Sequence, residues 1–102
     1  MEPPQQALKS TPRALEAERS VLGAVMLDNR AWDSVIDRLS VDDFYLPEHR
    51  HIFHALEQLS VKHQPFDVLT VSQVLTDSAL LDVAGGEAAL YEIVQNTPSA
   101  AN

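Results

Sequence analysis

Residues 42–53 read DDFYLPEHRHIF, and with His54 added they hold three of the four histidines of the chain. Two readings compete for this stretch: a metal or acid–base site, or the opening of a buried helix. On a helix each residue advances about 100°, so His49 and His51 fall on opposite faces while His51 and His54 are neighbours about 60° apart. Glu57 continues that second row. The spacing therefore permits a surface site of His51, His54 and Glu57, and His49 cannot join it. Zinc needs three or four convergent ligands, and the H-E-x-x-H pattern is absent. The other reading makes Asp42 and Asp43 turn and capping residues and Pro47 the first helical residue. It gives a helix over about 47–62 whose apolar face is Ile52, Phe53, Leu56 and Leu59, with His51 and His54 on the boundary. The residues favour this helix. Neither aspartate has a neighbour that would make it a general acid or base, so no catalytic residue is assigned.

Working outward, the pattern stays helical. Trp32, Val35, Ile36 and Leu39 fall at i, i+3, i+4 and i+7, a buried stripe that Asp28 or Asn29 can cap. Upstream, Thr11 and Pro12 read as N-cap and first helical residue of a helix over about 13–27, with Leu15, Leu22, Val25 and Met26 on one face. Gly23 in its middle costs about 1 kcal/mol relative to alanine, which a close helix–helix approach would explain. Phe44, Tyr45 and Leu46 are expected to plug the core. Downstream, Thr70 and Gln73 have the form of a capping box for a helix over about 71–77, with Val71, Val74 and Leu75 inward. Gly85 and Gly86 mark a turn or helix start, and a last helix over about 87–95 buries Leu90, Ile93 and Val94. Asn96 to Ser99 stop it, with Thr97 or Ser99 placed to cap a further element. Residues 1–10 are polar and aperiodic and read as a disordered tail. With no repeat and no convincing strand, the expectation is one all-α domain over 11–102, a small orthogonal bundle of about five to six short helices.

The bulk properties narrow the function. The chain has 102 residues, a net charge of −8 from 15 acidic and 7 basic residues, and no cysteine. That length suits one domain, and a thiol chemistry or disulfide framework is excluded. No apolar run approaches the ~18 residues of a membrane span, and MEPPQQALKSTPR is not a signal peptide, so a cytoplasmic protein is expected. Nucleic acids are bound by neutralising phosphates, for which this chain has few cations; a basic protein partner suits it better. Neither G-x-x-x-x-G-K-[ST] nor G-x-G-x-x-G occurs. Taken alone, the residues describe a helical interaction module.

Three segments go further: EAERSVLGAVMLDN (16–29), DDFY with HRHIF within 42–53, and NTPSAAN (96–102). In this order and spacing they resemble the N-terminal domain of bacterial replicative DNA helicases of the DnaB type, over about residues 14–102. Trp32, Asp67 and the Gly85-Gly86 turn join the match. The resemblance implies a core signature of Leu22, Trp32, Ile36, Phe44, Ile52, Phe53 and Leu56. It implies a parent chain that is a homohexameric motor at the replication fork, whose ATP, Mg2+ and DNA sites lie in a C-terminal RecA-like domain. This domain itself would have no catalytic, cofactor or metal site. It would pair into a collar, as a monomer or weak dimer when separated from the downstream helical hairpin, and dock the helicase-binding domain of primase; a helicase loader would engage the same hexamer. Carried over by position, the primase-facing residues would be Glu16, Glu18 and Asp67, with the segment after Gly86 and, within it, Tyr91. Family members often have tyrosine-leucine three and four residues after the second glycine, where this chain has Ala89, Leu90 and Tyr91. Tyr91 stands about 200° around the helix from position 89. The rival readings are an acidic helical adaptor unrelated to replication, a small metal-dependent enzyme using His51, His54 and Glu57, and a helix-turn-helix DNA binder.

Overall fold

The computed structural model describes residues 11–98; the tail expected over 1–10 and the cap expected at Ser99 lie outside them. Helix α1 (Pro12–Leu27) starts at an extended Thr11 whose Oγ1 accepts from the Ala14 amide at 3.2 Å. Pro12 takes the first helical position, where its missing N–H removes no intrahelical bond. Leu22, Val25 and Met26 are buried along one face and Leu15 is half-buried. Asp28 closes α1 and caps a 3-10 turn, Asn29–Ala31, accepting from the Arg30 amide at 3.1 Å. The hydrogen bonds from the Arg30 side chain, and then from its amide, hold the Asp28 carboxyl below the usual aspartate range.

Helix α2 (Trp32–Ile36) is only five residues long. Trp32 turns into the core between Phe53 and Phe66, at ring-centroid distances of 5.3 and 5.5 Å. Ile36, expected in the core, is instead 40% exposed. It sits one turn beyond Trp32, and of the same stripe Val35 and Leu39, half-buried, pack against the core in its place. A second 3-10 turn, Val41–Asp43, comes next, with Asp43 Oδ2 accepting from the Ser40 amide at 2.8 Å. Of the expected plug only Phe44 enters the core, its ring centroid 5.0 Å from that of Phe53 and tilted to it by 38°; Tyr45 is exposed and Leu46 half-buried.

Helix α3 (Pro47–Val61) opens on its proline and buries Ile52, Phe53, Ala55, Leu56 and Leu59, and also His49. Phe66 is buried in the loop after it, and Asn29 pins it there. The Asn29 amide group donates to the Val25 and Phe66 carbonyls, each at 2.9 Å, and its Oδ1 accepts from the Phe66 amide at 2.9 Å. Helix α4 (Val68–Asp77) then starts one turn earlier than expected, because the capping box is Asp67 with Thr70. Asp67 Oδ1 accepts from the Thr70 amide at 2.8 Å and Thr70 Oγ1 accepts from the Asp67 amide at 3.0 Å. Gln73 donates to Asp77 instead. Starting at 68 lets Val68 join Val71 and Leu75 in the core.

Helix α5 (Gly86–Gln95) begins after Gly85 and Gly86 pass through φ of 104° and 80°, backbone that side-chain-bearing residues rarely adopt. Leu90 and Ile93 are buried and Val94 is half-buried. Helix α1 packs on α5 and α3, and α4 lies against both α3 and α5. Gly23 sits at the α1–α5 contact: a Cβ there would lie 1.8 Å from Thr97 Oγ1 and 2.9 Å from the Ile93 carbonyl. The glycine sets how closely the two helices approach. Among the described residues, five α-helices and two 3-10 turns make up the regular structure.

Candidate functional site

The His49–Glu18 pair joins the histidine stretch to α1. His49 Nδ1 donates to Glu18 Oε1 at 2.7 Å, with the two side chains only 5% and 10% exposed. A carboxylate only accepts, which assigns the hydrogen to Nδ1. Glu18 Oε2 accepts from the Tyr45 amide at 2.6 Å. One carboxylate thus brackets α1, the Phe44–Leu46 segment and α3. Glu18 is thereby turned inward: both oxygens are occupied and little of it meets solvent.

On one side of this bracket, α1, α3 and α5 leave two open polar hollows. One, of about 380 Å³, is bordered by Arg19, Glu48, His49, Ala89, Glu92 and Asn96. The other, of about 360 Å³, is bordered by Glu16, Arg19, Ser20, Asn96, Thr97 and Pro98. Glu16, exposed, is thus brought beside the C-terminal end of α5. Tyr91 is 48% exposed but borders neither hollow, because Ala89 occupies the α5 position that does. Asp67 is exposed at the start of α4, where its carboxylate is engaged as the N-cap, and it also borders neither hollow. The sequence-derived partner set therefore divides: Glu16 and the α5 segment converge, while Asp67 and Tyr91 stand apart from them.

The remaining histidines do not form a centre. His54 Nδ1 lies 3.5 Å from Glu57 Oε1, with those side chains 58% and 34% exposed, and His51 is half-buried. Among the described residues no group of three or more histidines, aspartates or glutamates is placed to hold a metal ion. No described helix is long and apolar enough to cross a membrane. The residue that sequence reasoning missed is His49. Its signal was present, since His49 precedes Ile52, Phe53 and Leu56 by three, four and seven residues and so shares their apolar face.

A family model, the DnaB-like helicase N terminal domain, matches residues 10–102. The chain is similar to the replicative DNA helicase DnaB of Haemophilus influenzae, 43% identical over 91 residues, covering 89% of this chain and 19% of that protein. It is likewise similar to the replicative DNA helicase DnaB of Treponema pallidum, 44% identical over 101 residues, covering 97% and 23%. Among solved structures, the N-terminal domain of DnaB helicase from Mycobacterium tuberculosis superposes with a TM-score of 0.82 at 38% identity, covering 86% of this chain and 63% of that one. The chain spans about a fifth of the length of these curated relatives.

Proposed function

The chain belongs to the family of DnaB-like helicase N-terminal domains, and from that premise we propose that it is the non-catalytic assembly and primase-docking domain of an ATP-driven replicative helicase. The observation that carries this reading is the match over residues 10–102. The site geometry suits it: the α1–α5 side offers open polar hollows bordered by charges of both signs, to which a partner can match complementary charges. In the parent chain, unwinding and the ATP and Mg2+ it needs are assigned to a separate domain, and the active form is a hexamer. Cytoplasmic placement at a bacterial replication fork belongs to the same reading. Primase is the partner assigned to the Glu16 side, with a helicase loader engaging the hexamer.

The test is light scattering after size exclusion, with the chain alone and with the helicase-binding domain of a matching primase. A stoichiometric complex is expected, and Glu16→Ala should weaken it. Absence of a complex both with this chain and with a full-length hexamer carrying it would overturn the primase assignment.

A further inference from the structure

His49 has a second ring nitrogen that the Glu18 bracket does not use. With the hydrogen on Nδ1, Nε2 of the neutral imidazole carries a lone pair and accepts. Among the described residues no hydrogen bond reaches Nε2, although the side chain is only 5% exposed. Nor does any buried side-chain nitrogen or oxygen among them lack a partner. Nε2, which has none, is therefore open at the surface, and His49 meets the surface at the hollow of about 380 Å³. Glu18 holds the ring from behind and leaves its free acceptor to that hollow.

The rest of the lining selects what that acceptor takes. Glu48 on α3, half-buried, and Glu92 on α5, exposed, border the same hollow. Neither carboxylate has a hydrogen bond or ion pair among the described residues. Arg19 is the one cation of the lining and pairs with neither of them, so two carboxylates and an imidazole acceptor stand against a single guanidinium. Leu46 and Ala89 supply apolar wall. His49, Glu48 and Glu92 are not placed to hold a metal ion. The cation that suits them donates hydrogen bonds and carries an apolar stem. A lysine does both: its compact ammonium has three hydrogens to donate, and its methylenes pack on apolar surface. Arginine's planar fork is matched instead to paired carboxylate oxygens. We infer that the hollow receives a lysine side chain of the docked protein partner, its ammonium donating to His49 Nε2 while Glu48 and Glu92 balance its charge. The inference deepens the docking reading above and rests on it for one point, that the partner is a protein.

The experiment follows the isotope-labelled 102-residue chain by NMR as end-blocked Gly-Lys-Gly is added, with the norleucine and arginine analogues in parallel. Long-range proton–nitrogen spectra of the free chain should show the His49 hydrogen on Nδ1 and a bare Nε2. The lysine peptide should move the Nε2 resonance and the amides of Glu48, Ala89 and Glu92 saturably, and the norleucine peptide should move none of them. Glu92→Gln, on the exposed side of α5, should weaken the lysine peptide about three-fold or more, whereas Glu57→Gln, beside His54, should leave it unchanged. A hydrogen on Nε2 in the free chain, an unmoved Nε2 at saturation, equal binding of the norleucine peptide, tighter binding of the arginine peptide, or insensitivity to Glu92→Gln would each overturn the proposal. None of these readouts needs primase. Their failure beside an intact primase complex removes the lysine site alone, and success without such a complex removes primase alone.

Discussion

Glu18 and Glu16 differ by two positions and have opposite roles. Glu18 is spaced four and seven residues before Leu22 and Val25, on the inward face of α1, and satisfies the buried His49 ring and the Tyr45 amide. Removing it leaves the buried His49 donor unsatisfied, at about 1–3 kcal/mol, while water can reach the amide of the exposed Tyr45. Glu18→Ala is therefore expected to destabilise the chain by about 1–3 kcal/mol, whereas Glu16→Ala should stay within about 0.5 kcal/mol. Urea melts of the two variants check this, and equal midpoints would contradict the bracket. The i+4 and i+7 spacing made the inward direction of Glu18 legible. Its partner was not, because His49 lies 31 positions away and nothing local couples the two residues.

At the scale of elements, Gly23 separates propensity from packing. Alanine in a helix interior is better than glycine by about 1 kcal/mol, so an isolated α1 would be strengthened by Gly23→Ala. In the folded chain the new methyl would collide with Thr97 and the Ile93 carbonyl. Overpacking of this kind costs about 1–3 kcal/mol, so the expected net effect is destabilising. Adding Thr97→Gly should recover part of the loss, because it removes the two nearest atoms and leaves the Ile93 carbonyl at 2.9 Å. A double-mutant cycle by thermal melts measures the coupling. Helix extents were legible where proline or a threonine cap marks them, as at Thr11 and Pro47. The start of α4 was not, since Asp67–Thr70 and Thr70–Gln73 carry equivalent capping chemistry. Long-range burial of Phe66 and Val68 decides between them.

For the whole molecule, the aromatic cluster of Trp32, Phe44, Phe53 and Phe66 holds together parts of the chain that the helices alone would not. Trp32→Ala and Phe53→Ala are each expected to cost about 3–5 kcal/mol, and His54→Ala about 0.5 kcal/mol. Denaturant midpoints in the reverse order would contradict this assignment of faces. The all-α class was legible because apolar spacing near 3.6 recurs along the chain. Ile36 shows the boundary of that method: periodicity gives the face of a helix, but the length of the helix and its position in the bundle decide whether the face is covered. The surface hollows were less legible still. The two hollows at α5 are assembled from residues far apart in sequence, and only folding brings them together.

The Asn29 contact has a consequence for how the molecule opens. The Phe66 amide lies outside any helix, yet the side chain of a residue 37 positions away sequesters it. Its hydrogen-exchange rate therefore does not report fraying of the adjacent α4. It reports separation of the loop from the end of α1, a local opening with a free energy of its own.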